Sequence, residues 1–283
     1  MGVIQWYPGH MTKATREMEE NVKKCDVIVY VLDSRAISAC INPKFDQIIK
    51  NKPVLYVFNK ADTVEPFMLK PWCDKFEKEG KTYVKANSAA GKESGLIIAK
   101  LKELCSAKLE NYRKKGVNAS IRAMVLGIPN GGKSTLINSL CSGKKTVTGD
   151  RPGVTKGQQW IAVSKGIDLL DTPGTLWPSF EDQEKAKHLV YIGSIKDDVV
   201  DKNEICLFFL GFMQQHYPKN LCERYNLSVL SETPIEIYEQ IARARGYVVR
   251  GGEIDYDRTA AAVLDDFRKQ RLGKLILEYP DRI

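Results

Sequence analysis

The sequence contains no apolar run approaching the roughly 18 residues needed to cross a bilayer. Its first ten residues lack a basic segment followed by an apolar stretch, so no secretory leader is expected. Low-complexity tracts and internal repeats are absent. The seven cysteines, at 25, 40, 73, 105, 141, 206 and 222, are odd in number, scattered, and form no Cys-x-x-Cys pair. That spacing supports neither a disulfide framework nor a zinc site; reduced, mostly buried thiols in a cytoplasmic protein are expected. Histidine is scarce, with three residues.

What is present is the composition of a globular chain: 283 residues, 43% hydrophobic and 28% charged. That length allows one large domain or two ordinary ones, with a sizeable core. The formal charge of +8 is unevenly spread, because residues 180–283 hold 15 Lys and Arg against 18 Asp and Glu. The basic excess therefore sits in residues 1–179. It points to an anionic partner larger than a small ligand, nucleic acid above all, although a pI near 9 can also be incidental.

Short apolar runs alternate with helical periodicity through the first part of the chain. Residues 26–33, 54–58 and 82–86 read as strands, the first two buried on both faces as in a parallel sheet. Helices are expected over 12–24, with Thr12 near the N-cap, and over 66–79 and 94–113. The run Arg122–Leu126 is a further strand leading into a loop, with a helix from Lys133 to Cys141. Residues 158–163 and 167–171 read as two strands joined by the turn Ser164-Lys165-Gly166, so one of them should be antiparallel. This is the alternation of a doubly wound α/β sheet. Beyond Trp177-Pro178 the βα alternation stops, and 181–195, 202–215, 234–246 and 256–272 have helical periodicity. The expected division is an α/β domain over 1–178 and a small all-helical domain over 179–283.

Gly127-Ile128-Pro129-Asn130-Gly131-Gly132-Lys133-Ser134 matches the phosphate-binding loop Gly-x-x-x-x-Gly-Lys-Ser, and it stands between a strand and a helix. Gly132 allows close backbone approach, so the N–H groups of Asn130, Gly131 and Gly132 can surround a phosphate at the positive end of the helix. Lys133 should reach β- and γ-oxygens and Ser134 should ligate Mg²⁺. Thr135, next in the helix, joins the expected nucleotide-binding set. Asp171-Thr172-Pro173-Gly174 stands at a strand end, where Asp171 can hold Mg²⁺ and the Gly174 N–H can meet a γ-phosphate.

Upstream of this loop lies Asn59-Lys60-Ala61-Asp62. A carboxylate at Asp62 can accept from guanine N1–H and N2–H₂, which adenine does not offer. Asn59 can bond N7 and tether neighbouring loops, and the Lys60 stem can cover the base. Asn87-Ser88-Ala89, after the next strand, can meet guanine O6 through backbone N–H. Each of these short motifs also has an ordinary turn reading, but together with the phosphate loop they favour GTP or GDP over ATP.

The order Asn-Lys-x-Asp, Asn-Ser-Ala, phosphate loop, Pro-Gly-x-Thr, Asp-x-x-Gly resembles the circularly permuted Ras-like GTPases. Trp6-Tyr7-Pro8-Gly9-His10-Met11, Asp171-Thr172-Pro173-Gly174-Thr175-Leu176-Trp177-Pro178 and Gly251-Gly252-Glu253-Ile254-Asp255-Tyr256 resemble the ribosome biogenesis GTPase A family. The resemblance implies a permuted P-loop GTPase domain and a helical RNA- or ribosome-binding domain. It implies a GTP-hydrolysing assembly factor for the large ribosomal subunit, which binds in the GTP state and is released on hydrolysis. By it Thr155, in Arg151-Pro152-Gly153-Val154-Thr155, is the switch threonine that closes over Mg²⁺. Asn130 matches an asparagine associated with potassium-stimulated relatives, and can hold K⁺ or merely shape the loop. His10, in a loop before the first helix, is a candidate for positioning the attacking water, or else an exposed or RNA-contacting residue. The chain departs from the family at Gly131, where Val is common, and at Thr175, where an apolar residue is usual.

A Ras-type enzyme places Gln directly after Asp-x-x-Gly, and Thr175-Leu176 offers none. Slow intrinsic hydrolysis, completed by a ribosomal partner, is therefore expected. Arg243, Arg245, Arg268, Lys269, Arg271 and Lys274, with Lys13, Arg16 and Arg113–Lys115, either touch rRNA phosphates or complement helix dipoles. No RNA-recognition motif with stacking aromatics is visible, so shape and backbone readout is expected. Neither DNA nor a membrane is an expected partner, and a monomer is expected. The rival reading is a GTP/GDP-sensing RNA-binding module whose hydrolysis is incidental; an RNA-modification GTPase finds no transferase or metal motif.

Overall fold

The computed structural model describes residues 4, 9–49, 51–117, 120–141, 159–164, 166–177 and 180–280. Contacts divide the chain into two compact units, Gln5–Glu181 with Ile276–Ile283, and Asp182–Leu275 with Met1–Ile4. The break falls just past the expected 178. The chain after Leu275 belongs with the first unit rather than with the helices it follows.

The first unit is built on a six-stranded sheet in the order β3-β2-β1-β4-β6-β5. Its strands are β1 (Val27–Asp33), β2 (Val54–Asn59), β3 (Thr82–Ala86), β4 (Ile121–Gly127), β5 (Gln159–Ser164) and β6 (Ile167–Asp171). β1 pairs in parallel with both β2 and β4, and β4 with β6. β5 alone is antiparallel, pairing with β6. Every residue of β1 is buried, which explains its unbroken apolar run: helices cover both faces of a parallel sheet. The chain winds outward from β1 to β3, then returns to lay β4 on the other side of β1. That reversal makes the carboxyl ends of β1 and β4 the switch point where such sheets bind ligands.

The helices of this unit are α1 (Gly9–Val22), α2 (Pro43–Ile49), α3 (Pro66–Lys78), α4 (Ser94–Leu104), α5 (Ser106–Lys114) and α6 (Lys133–Leu140). Two expectations need correction. The single helix over 94–113 is two, interrupted at Cys105. The first helix starts at Gly9, which places His10 in its first turn and not in a preceding loop. Its buried stripe, Met11, Ala14, Met18 and Val22, begins upstream of Thr12, so an earlier turn is needed to present Met11.

The second unit packs α7 (Gln183–Tyr191), α8 (Lys202–His216), α9 (Pro218–Tyr225), α10 (Pro234–Arg245) and α11 (Tyr256–Arg268). Side chains of Asp182, Asp201, Thr233 and Asp255 cap α7, α8, α10 and α11 in turn. Thr233 and Glu236 form a reciprocal capping box. A single antiparallel bridge, Val248 to Ile254, links α10 to α11.

Candidate functional site

The loop Ile128–Gly132 leaves β4 and turns into α6, whose N-terminus therefore faces the sheet's carboxyl edge. Asn130 and Gly132 both take left-handed backbone, φ 56 and 92. Gly132 is required twice over, because a Cβ there would also collide with the Asn59 side-chain amide. Lys133 is buried, and its ammonium donates to the Ile128 carbonyl at 2.7 Å. Burial lowers its pKa to about 8, opposed by the negative charge of Asp171.

Asp171 closes β6 beside this loop. Burial raises its carboxyl, and Lys133 and a Ser134 hydroxyl 3.4 Å from its Oδ2 work against that rise. Its other oxygen, Oδ1, is buried and has no hydrogen-bond partner among the described residues. Thr172 anchors the following turn by donating to the Val125 carbonyl at 2.5 Å. Gly174 then passes so close to the loop that a Cβ would lie 2.6 Å from Pro129 Cα and 2.9 Å from Lys133 Nζ. Larger residues are excluded there.

Asn59 ends β2 and joins the early and late motifs. Its Nδ2 donates to the Gly131 carbonyl at 2.8 Å, and its Oδ1 accepts from the Ser88 hydroxyl at 2.6 Å and amide at 3.2 Å. Lys60, at φ 56, donates to the Asn130 carbonyl at 2.8 Å. Ala61 opens a 3-10 turn that carries Asp62, which is exposed. The Asn87 side chain accepts from the Ala89 and Ala90 amides at 3.1 Å, so it shapes its own turn. The Ser88 and Ala89 amides, expected to meet guanine O6, thus also donate to Asn59 and Asn87.

Three residues at this edge escaped the sequence reading. Asp33, at the end of β1, accepts from Arg35 Nε at 2.9 Å and Nη2 at 2.7 Å, and from Lys60 Nζ at 2.9 Å. Burial alone would raise the Asp33 carboxyl, but the two cations hold it well below the usual carboxylate range. Ser34 donates to the Asn59 carbonyl through its amide at 2.9 Å and its hydroxyl at 2.7 Å. The available signal was a charged Asp-Ser-Arg directly after an apolar strand, at a sheet's carboxyl end.

Two expected site residues cannot be placed. Thr155 lies outside the described residues, as does the His10 side chain. Of the basic residues assigned to RNA, Arg268 has a structural duty: it donates to the Val190 and Tyr191 carbonyls and forks onto Asp197. Arg271 and Lys269 pair with Asp265, and Arg271 also with Asp266. Lys13, Arg16, Arg113, Lys114 and Lys115 are exposed. Among the described residues there is no cluster able to hold a metal through His, Cys, Asp and Glu alone, and no helix is long and apolar enough to cross a membrane.

The chain is 44% identical over 280 residues to ribosome biogenesis GTPase A of Bacillus cereus, covering 99% of this chain and 95% of that protein. It belongs to the ribosome biogenesis GTPase A family. The Thermotoga maritima member is 28% identical, over 99% of this chain and 96% of its own. The fold is similar to that of GNP-bound YlqF from T. maritima, with a TM-score of 0.67 and 23% identity, covering 96% of this chain and all of that one. A family model described as 50S ribosome-binding GTPase matches residues 122–232. The match begins at β4, and Asn59–Asp62 and Asn87–Ser88 precede it.

Proposed function

We propose that the protein is a GTP-hydrolysing assembly factor for the large ribosomal subunit, a cytoplasmic monomer that binds rRNA and ribosomal proteins in the GTP state and leaves on hydrolysis. The observation that carries the reading is Asn59: one side chain ties the early Asn-Lys-x-Asp motif to both the phosphate loop and Ser88. Asp62 reads the guanine edge, Asn59 fixes the loops, and the Lys60 stem covers the base. Gly131, Gly132, Ser134 and Thr135 lie around the phosphates with Asn130, while Lys133 trades the Ile128 carbonyl for phosphate oxygens. The Gly174 amide meets the γ-phosphate.

Asp171, whose Oδ1 has no hydrogen-bond partner among the described residues and whose Oδ2 accepts from the Ser134 hydroxyl at 3.4 Å, would form with Ser134 a hard-oxygen pair suited to Mg²⁺, with Thr155 as the switch ligand. Bound there, Mg²⁺ supplies charge to developing phosphate oxygens, and K⁺ at the Asn130 side-chain carbonyl would add to it. His10 positions the attacking water once a ribosomal partner is bound, which accounts for activity without a glutamine after Gly174. The exposed basic groups of α1 and α5 give rRNA phosphates a place to bind.

Co-sedimentation with separated ribosomal subunits tests this reading. The protein should pellet with the large subunit in a non-hydrolysable GTP analogue and stay in the supernatant with GDP. Equal pelleting with both subunits, or indifference to nucleotide, contradicts it.

A further inference from the structure

We propose that residues 276–280 form a strap that sets guanine preference, with Glu278 and Asp33 as positioning residues for Lys60, the cap of the turn that carries the base-reading Asp62. The inference rests on reading Asn59–Asp62 as the guanine motif. After Leu275 closes the helical unit, the chain returns to the sheet unit and bonds the loop that follows β1. The Leu277 amide donates to the Arg35 carbonyl at 2.8 Å. Glu278 Oε1 accepts from the Ala39 amide at 2.9 Å, and its main-chain carbonyl accepts from Trp72 Nε1 at 3.1 Å. Ile276 and Leu277 are buried. The strap thus holds both ends of the segment from Arg35 to Ala39.

That segment determines where Lys60 sits. Arg35 is held by the strap through its main chain and forks onto Asp33 through its guanidinium. Asp33 Oδ2 and the Asn130 carbonyl are then the two acceptors that fix the Lys60 ammonium. These are charge-assisted bonds, the Asp33 side of them fully buried and the Lys60 side partly so, and they are sensitive to displacements well under an ångström. Releasing Glu278 frees the Ala39 amide and loosens Arg35, and Asp33 loses its fixed fork. The consequence falls on guanine preference, because Lys60 caps the 3-10 turn Ala61–Thr63 that carries the guanine-reading Asp62, more than on the phosphates, which Lys133 holds from another element. The covalent chain therefore runs from the last residue of the helical unit straight to the loop that controls base recognition.

The test measures competition of GDP and ADP against a fluorescent GDP, together with the thermal midpoint, on the full chain and on Glu278→Ala, Glu278→Gln and Trp72→Phe. Glu278→Gln keeps an acceptor for the Ala39 amide. Glu278→Ala should weaken GDP about tenfold, the scale of one lost hydrogen bond to a charged group, while ADP changes little. Glu278→Gln should restore GDP affinity to within about twofold, and Trp72→Phe should show a smaller loss in the same direction. Unchanged GDP affinity in Glu278→Ala overturns the strap. So does an equal loss of GDP and ADP that glutamine fails to rescue, since that marks a merely structural role. Absence of any GDP preference in the unmodified chain would instead strike the underlying reading of the guanine motif.

Discussion

The base-reading and phosphate-holding halves of the candidate site differ in how far the protein satisfies its own polar groups. On the base side, Asn59, Lys60, Ser88 and Asp33 bond one another and the phosphate loop. On the phosphate side, Asp171 Oδ1 and Thr175 Oγ1 are buried with no hydrogen-bond partner among the described residues, and the buried Lys133 ammonium donates to the neutral Ile128 carbonyl. Buried polar atoms without partners are costly, and they concentrate where a ligand or ion supplies the missing bonds. On the proposed reading, the difference teaches that base selection is built into the fold, whereas phosphate chemistry is left for the ligand to complete.

The sharpest way to break that contrast is Lys133→Ala. It should weaken GDP and GTP by about a hundredfold to a thousandfold, the range for removing one partner of a buried charged contact, with guanine-over-adenine preference retained. Equilibrium binding checks both parts; loss of the preference would show that the halves are not separable.

A smaller effect follows from pH. Burial lowers Lys133 to about 8, and phosphate beside it must raise that value again, so the bound form holds its proton more tightly than the free one. Affinity is then full below pH 8 and falls as pH rises through it. Isothermal titration should find GDP binding about tenfold weaker at pH 9 than at pH 7, with proton uptake on binding. A flat profile would mean that Lys133 is fully charged throughout.

The smallest effect concerns Thr175. Its hydroxyl is buried without a partner, so Thr175→Val should leave stability in urea unchanged or raise it by about 1 kcal/mol. A destabilisation larger than that would place the hydroxyl in a satisfied bond and weaken the contrast from the phosphate side.

Much of this was legible in the sequence, for identifiable reasons. The strand runs at 26–33 and 54–58 are apolar because a parallel sheet is covered twice, and the phosphate loop and Asp171 stand at the carboxyl ends of β4 and β6. The tight Ser164–Gly166 turn announced the antiparallel β5. What was missed is short or long-range. α2 and α9 span two turns each, too little for periodicity to register. The break at Cys105 has no proline or glycine to mark it. The return of Leu277 and Glu278 to Arg35 and Ala39 joins opposite ends of the chain, and no local pattern encodes such a pairing. Arg268 reads as a cation at a helix end, and only its fork onto Asp197 reveals an internal tie.

The central claim is that an early base-reading motif and a later phosphate loop make one guanine site. Asp62→Asn tests it most directly, because an amide in place of the carboxylate presents a donor where guanine N1–H and N2–H₂ need an acceptor. The affinities of GDP and xanthosine diphosphate should be measured for both proteins. The account predicts that the variant loses GDP affinity by about a hundredfold and gains affinity for xanthosine diphosphate, with its melting temperature kept. Unchanged GDP binding in a folded Asp62→Asn protein would contradict it.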